Sequence, residues 1–266
     1  MNILNKILQH KRKEVDARKS LQPVKVLEQS NFFGRTTYSL KEFIQREDRS
    51  GIITEFKRKS PSKGDINTNA TVEETTVGYA QAGASGLSVL TDHEFFGGNS
   101  NDLITARKHN KIPVLRKDFT IDEYQIIEAK SIGADAILLI AAALEPARLK
   151  QLSAFAKTFG LEVLLEVHDK EELQANLEAQ ADLLGVNNRS LKTFEVSIEI
   201  SKQLAPLIPQ EAIKVSESGI SDPLTIIELK KYGYEGFLMG ENFMKQHNPG
   251  DACKAFIEKL NQLEKQ

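Results

Sequence analysis

Eight short runs rich in Val, Ile, Leu or Ala recur from residue 51 onward, each followed by a polar turn and a helical stretch, at a spacing of roughly 20–35 residues. Polar and charged residues close many of these runs at their carboxyl ends, rather than clustering at one point of the chain. Together these features predict an α/β fold, a (β/α)8 barrel. The alternative is an open doubly wound sheet, which gathers its site at one switch point, and no G-x-G-x-x-G follows the first run here. A length of 266 residues suits one large α/β domain or two small ones. The expected organisation is a single barrel domain over residues 1–266, with residues 1–48 as an N-terminal helical extension.

Taken in order, residues 2–19 place Ile3, Leu4, Ile7, Leu8 and Val15 near helical spacing with Lys and Arg between them, which reads as an amphipathic helix. Its apolar face is short, and Glu14 and Asp16 interrupt the basic face, so packing on its own domain is favoured over a membrane surface. Residues 38–47 read as a second short helix. Strands are expected at about Ile52–Lys57, Gly86–Leu90, Pro113–Lys117, Ala136–Ala141, Glu162–Val167, Leu183–Asn187, Ile213–Ser216 and Gly236–Met239. The intervening helices carry start signals. Thr71-Val72-Glu73-Glu74 is a capping box, Asp222-Pro223 offers a cap with Pro at the first helical position, and Asp169 precedes an acidic first turn. Gly83, Gly133, Gly160 and Gly233 fall where helices should stop.

The first strand and its loop, GIITEFKRKSPSKGDI over residues 51–66, are the most informative stretch. Alternation puts Ile53, Glu55 and Lys57 on one face and Ile52 and Phe56 on the other. A carboxylate and an ammonium continuing an apolar row are either a surface ion pair on an edge strand or a site. The turn-rich SPSKGD that follows, with another lysine, suits an anion held at the carboxyl end of a strand. The same pattern recurs. Lys117 continues the face of Leu115, and Glu166 the face of Leu164; Asn187 closes the sixth run, Glu217 and Ser218 the seventh, and Gly240 the eighth. In a barrel all these ends open on one mouth, where two lysines and three glutamates shift one another's pKa values as acid/base chemistry requires. Ser218-Gly219 and Gly240 follow strands seven and eight, where barrels often bind phosphate through backbone N–H groups. Phe95-Phe96-Gly97-Gly98 reads as a mobile loop with aromatic anchors.

Composition excludes several classes. A net charge of −2 gives no electrostatic reason to expect nucleic acid or an anionic membrane as partner. No apolar run reaches spanning length. Cys253 is the one cysteine, so an intramolecular disulfide and a Cys-based metal cluster are ruled out, in keeping with a cytoplasmic protein. Of the five histidines only His168 lies at a strand end, and its spacing shows no metal site, so no metal is expected.

At these residues the sequence resembles the indole-3-glycerol phosphate synthase family of tryptophan biosynthesis. The resemblance rests on IITEFKRKSPSKG, SVLTDHEFFGG, PVLRKDF, GADAILLIAA, LLEVH, LGVNNRSL, SESGI and FLMGENFM, in family order from about residue 51 to 244, and the N-terminal helices look like the extension that packs over the family's barrel mouth. The resemblance implies a lyase that closes a ring on 1-(2-carboxyphenylamino)-1-deoxyribulose 5-phosphate, releases carbon dioxide and removes water. It implies a catalytic set of Glu55, Lys57, Lys117, Glu166, Asn187 and Glu217. Within it Lys117 matches the general acid, and Glu166 and Glu55 match the acid/base carboxylates. Lys57, Ser60 and Arg189 match residues that hold the substrate's carboxylate or phosphate, and Leu90, Phe119, Leu138 and Leu191 join the substrate-binding set. Ser218, Gly219, Gly240 and Glu241 match the phosphate cradle. Thr54 stands where alanine is commoner and should face away from the site; Glu241 stands where some members have serine, and its carboxylate must turn away. A monomer is implied, with weak association with other enzymes of the pathway at most. Rival readings are a phosphoribosyl isomerase or a lysine Schiff-base aldolase on the same fold, and a silent barrel acting as a binding subunit.

Overall fold

The computed structural model describes residues 3–190 and 194–265. Eight parallel strands close into a barrel: β1 (Ile52–Phe56), β2 (Gly86–Leu90), β3 (Val114–Lys117), β4 (Ala136–Ile140), β5 (Glu162–Val167), β6 (Leu183–Asn187), β7 (Ile213–Glu217) and β8 (Gly236–Met239). Each pairs with its neighbours in sequence, and β8 returns to β1. The expected strands and their order are thus present, with ends differing by a residue.

Alternation separates two cores. Inward residues Ile53, Leu115, Leu138, Leu164, Leu183 and Val215 form one cluster inside the barrel. Outward residues Ile52, Phe56, Val114, Ile137, Val163 and Phe237 pack beneath the helices in the other. Burying each such aliphatic or aromatic side chain contributes about 1.5–3 kcal/mol. Thr54 faces outward, its hydroxyl donating to the Gly86 carbonyl, as its place in the alternation requires.

Three helices precede β1: α1 (Ile3–Leu21), α2 (Val24–Leu27) and α3 (Leu40–Gln45). They divide between the two ends of the barrel. Leu40 and Ile44 of α3 join the interior cluster beside Gly86 and Gly236, which open β2 and β8, so α3 plugs the amino end. A carboxylate anchors it there. Glu162, at the start of β5, accepts from the N–H groups of Leu40 and Lys41 at 2.7 and 3.0 Å and from the Ser39 hydroxyl. This satisfies donors that the first helical turn otherwise leaves unpaired. Helix α1 instead brings Ile3, Leu4 and Ile7 to the opposite end, the mouth.

The outer helices begin and end as their signals predict. Thr71 caps α4 (Val72–Ala82), Asp169 caps α5 (Lys170–Ala175) and Asp222 caps α6 (Pro223–Lys230), each by accepting a first-turn N–H. Gly83, Gly133, Gly160 and Gly233 all take positive φ just beyond helices, the left-handed conformation that glycine enters without a Cβ penalty.

Candidate active site

The strand ends surround a cavity of about 250 Å³ at the mouth. Each described candidate from the sequence lines it: Glu55, Lys57, Ser60, Leu90, Lys117, Phe119, Leu138, Glu166, Asn187, Arg189, Glu217, Ser218, Gly219, Gly240 and Glu241. Leu191 lies outside the described residues.

The centre is Lys117, at the end of β3. Its ammonium lies 3.1 Å from Glu166 Oε2 and 2.8 Å from Glu217 Oε2. Register explains the convergence, since Asn187 on β6 stands level with Glu217 on β7, and Glu166 on β5 is level with Ile140 and Gly185. Burial alone would lower the Lys117 pKa, but the charges of Glu217, Glu166 and Glu55 outweigh it and hold the ammonium well above the ordinary lysine range. Glu166 is held well below the usual carboxylate range. Burial opposes this, and Lys117, His168 and Asn187 overcome it. Glu217 goes the other way, pushed up to about 7 by burial and by the charges of Glu166 and Glu55, against the pull of Lys117. One fixed anion and one carboxyl that titrates near neutrality thus flank a permanent cation.

The rest of the pocket is a second pair and a polar cradle. Lys57 Nζ meets Glu55 Oε1 at 2.6 Å. Asn187 donates to Glu166 Oε1 at 3.1 Å, and its carbonyl oxygen accepts from the Ser218 hydroxyl at 2.9 Å and the Arg189 N–H at 3.0 Å. It therefore ties the acid/base centre to the loop after β7. There Ser218 and Gly219 take φ of 66° and 76° in succession. Successive backbone N–H groups in a turn of this kind suit an anion. A Cβ at Gly219 would run into the Val196 side chain.

Two expectations change on contact with the structure. Gly240 reads from the sequence as the place where the chain approaches the phosphate. In the structure the space a Cβ would fill is taken by Glu55, with its Cβ at 2.8 Å and Oε1 at 2.9 Å, so this glycine makes room for a carboxylate of the site. Glu241, expected to turn away, lies between Lys63 at 3.8 Å and Arg189 at 3.9 Å. At these distances it partly neutralises Arg189 in the cavity wall and the exposed Lys63 outside it.

The resemblance places the N-terminal helices over the mouth, but the residues that α1 brings there are not among the sequence candidates. Ile3, Leu4 and Ile7 line the cavity together with Phe96, whose ring is 6.0 Å from that of Phe119. The expected loop 95–98 does supply aromatic anchors, and its Phe95 and Phe96 N–H groups donate to Asp92. Lys11 is buried, with its ammonium 2.9 Å from Glu14, Asp92 and Asp118. Its position four residues from both Ile7 and Val15, on the apolar face of α1, was the available signal. Among the described residues no group of His, Cys, Asp or Glu could hold a metal ion, and no helix is long and apolar enough to cross a membrane.

A family model described as indole-3-glycerol phosphate synthase matches residues 4–256. The chain belongs to that family. An indole-3-glycerol phosphate synthase of Bacteroides thetaiotaomicron is 47% identical over 259 residues, covering 97% of this chain and 99% of the relative. That of Laribacter hongkongensis is 42% identical, covering 94% and 97%. Among solved structures, thiamine phosphate pyrophosphorylase from Pyrococcus furiosus aligns with a TM-score of 0.58 at 15% identity, covering 79% of this chain and 95% of that one. That likeness concerns the barrel fold alone. The family, fold and enzyme class expected from the sequence are thereby borne out.

Proposed function

We propose that the cavity converts 1-(2-carboxyphenylamino)-1-deoxyribulose 5-phosphate into indole-3-glycerol phosphate. The observation that carries this reading is Lys117 held between Glu166 and Glu217, with the left-handed Ser218–Gly219 turn in the same cavity. Ring closure joins the carboxylate-bearing ring carbon to the ketone carbon, and the ketone oxygen becomes an alkoxide. Lys117 stabilises that charge and delivers the proton, since an alkoxide is a stronger base than even this lysine. The bond to the carboxylate then breaks, its electrons restore the aromatic ring, and carbon dioxide leaves. Dehydration removes a proton from carbon and assists hydroxide out, the work of Glu166 and Glu55.

Lys57, Ser60 and Arg189 hold the anionic groups of the substrate; Ser218, Gly219 and the backbone N–H of Glu241 form the phosphate end, and Gly240 leaves room beside them for Glu55. Leu90, Phe119 and Leu138 supply the apolar wall for the anthranilate ring. The reading carries with it a cytoplasmic, monomeric enzyme without cofactor, in which residues 1–48 extend a single barrel domain.

The test uses the fact that the chain has no tryptophan. Adding the ribulose phosphate should generate indole fluorescence over a background of tyrosine and phenylalanine. Folded protein that binds the substrate yet yields no indole signal would overturn the reading. A borohydride-stable adduct at Lys117 in its place would favour an aldolase.

A further inference from the structure

Two carboxylates flank Lys117, and the structure does not treat them alike. Glu166 also accepts from Asn187, and Nε2 of His168 lies 3.3 Å from its Oε1, an ion-pair contact without the alignment of a hydrogen bond. Glu217 keeps Oε1 without a hydrogen-bond partner, packed over Gly185. His168 does not line the cavity, and its side chain is only 8% exposed. On the far side of the ring, Nδ1 lies 3.1 Å from Glu172 Oε2, the oxygen that also accepts the His168 backbone N–H at 2.8 Å. A carboxylate at each ring nitrogen suits an imidazolium, the one form in which both nitrogens carry a proton.

We propose, resting on the reaction above, that His168 is a positioning residue: Glu172 holds its ring, and the ring fixes Glu166 as the ionised member of the Glu166–Glu217 pair and hence as the base of the dehydration. The logic is that of a base oriented by a third group. Lys117 cannot make the distinction, because it contacts both carboxylates at similar distances. Asn187 is neutral, so it orients Glu166 without supplying charge. The charged groups facing Glu166 are Lys117 from β3, Glu217 from β7 and His168 beyond the end of β5; those facing the His168 ring are Glu166 and Glu172. Burial would pull the imidazole down, yet the two glutamates outweigh it and raise it to about 10, so the ring keeps its charge across the working range.

The experiment has two arms on the full chain. The first needs no turnover: carbon-13 NMR of labelled His and Glu side chains, titrated in the parent, in His168→Leu and in His168→Gln. In the parent His168 should remain charged through neutrality, and Glu166 should titrate far below Glu217. In His168→Leu the Glu166 titration should move up by at least about one pH unit, as expected when a neighbouring opposite charge is lost. The second arm is steady-state kinetics against pH. His168→Leu should lower kcat by about tenfold or more with KM within about twofold. The acid limb of kcat should shift to higher pH. His168→Gln, which keeps a neutral donor, should restore part of kcat and leave the limb displaced. Glu172→Gln should move both in the same direction by less, and it serves where the leucine variant does not fold. A His168 ring that titrates in the ordinary imidazole range, or a Glu166 titration and acid limb unmoved by these substitutions, would overturn the proposal. If the NMR arm holds while the parent makes no indole, the assigned reaction fails and the positioning role stands.

Discussion

Arg116 and Lys117 are neighbours on β3, and the alternation of the strand sends them into two different charge networks. Lys117 points inward, to Glu166 and Glu217 in the cavity. Arg116 points outward, where it is 1% exposed and meets Glu128 at 2.5 Å and Asp118 at 3.3 Å, while donating to Thr91 Oγ1 and the Gln125 carbonyl. Lys11 closes the outward network from α1 through Asp118 and Asp92. Both networks are buried, yet their protonation differs. Outward, burial would raise the Asp118 pKa, but Lys11 and Arg116 hold it well below the usual range. Inward, burial and the charges of Glu166 and Glu55 push Glu217 up to about 7, against the pull of Lys117. The outward network thus lowers its carboxyl Asp118 and the inward one raises its carboxyl Glu217, and a raised carboxyl in a cavity is the perturbation that acid/base chemistry uses.

The largest effect should come from breaking the outward network. Arg116→Met leaves Asp118 with Lys11 and Glu128 with Arg18 as the one remaining cation of each, and should cost about 3 kcal/mol of stability, the low end for a broken buried pair, read from urea unfolding. The kcat of the enzyme that remains folded should change far less. Lys117→Ala is the mirror case. It should lower kcat at least about a hundredfold with a smaller change in KM, because its interaction is strongest with the developing alkoxide. Its unfolding midpoint should move less than that of Arg116→Met, since Glu217 takes up a proton and Glu166 keeps His168 and Asn187. If the two variants exchanged these signatures, the division between the networks would be wrong.

The networks should also respond to pH with opposite signs. Asp118 has a lowered folded pKa, so its contribution is present above the ordinary aspartate range and is lost as pH falls toward its folded value. Glu217 has a raised folded pKa. Its contribution is complete below the ordinary value of 4.5 and is lost as pH rises toward about 7. A single proton of this kind changes stability by about 1.4 kcal/mol per pH unit across that window. Unfolding measured from pH 4.5 to 8 should therefore show a steeper decline in the parent than in Glu217→Gln. Parallel curves would mean that Glu217 does not carry the proton.

Much of this was legible in the sequence, for definite reasons. Apolar rows of period two that end in Lys117, Glu166 or Asn187 showed both the strands and the face they share, and closure of a barrel brings such ends together whatever the loop lengths. The outward network was not legible. Lys11 lies in the first helix and its partners Asp92 and Asp118 follow β2 and β3, so only the tertiary docking of α1 makes them neighbours. For the same reason His168 could be seen at a strand end but not as the partner of Glu166 and Glu172, and α3 could be read as a helix but not as the plug of the amino end.

The smallest of these effects concerns Gly240, and it separates close packing inside the inward network from phosphate binding. Gly240 takes φ of −132°, so its backbone does not require glycine. What requires it is Glu55, whose Cβ, Cγ and Oε1 lie 2.8, 3.2 and 2.9 Å from the place of a Cβ. Gly240→Ala must therefore push Glu55 aside and strain its 2.6 Å pair with Lys57. A displacement of this kind at a catalytic carboxylate should lower kcat by about tenfold, a modest share of the roughly hundredfold that a 1 Å misplacement can cost. Inorganic phosphate, as a competitive inhibitor, should bind within about twofold of its parent affinity, because the turn at Ser218 and Gly219 is untouched. Gly219→Ala should do the reverse. Its φ of 76° is strained for any residue with a Cβ, and the added methyl meets Val196, so phosphate inhibition should weaken while kcat at saturation holds. If Gly240→Ala instead weakened phosphate inhibition and left kcat intact, Gly240 would belong to the cradle, as the sequence alone suggests.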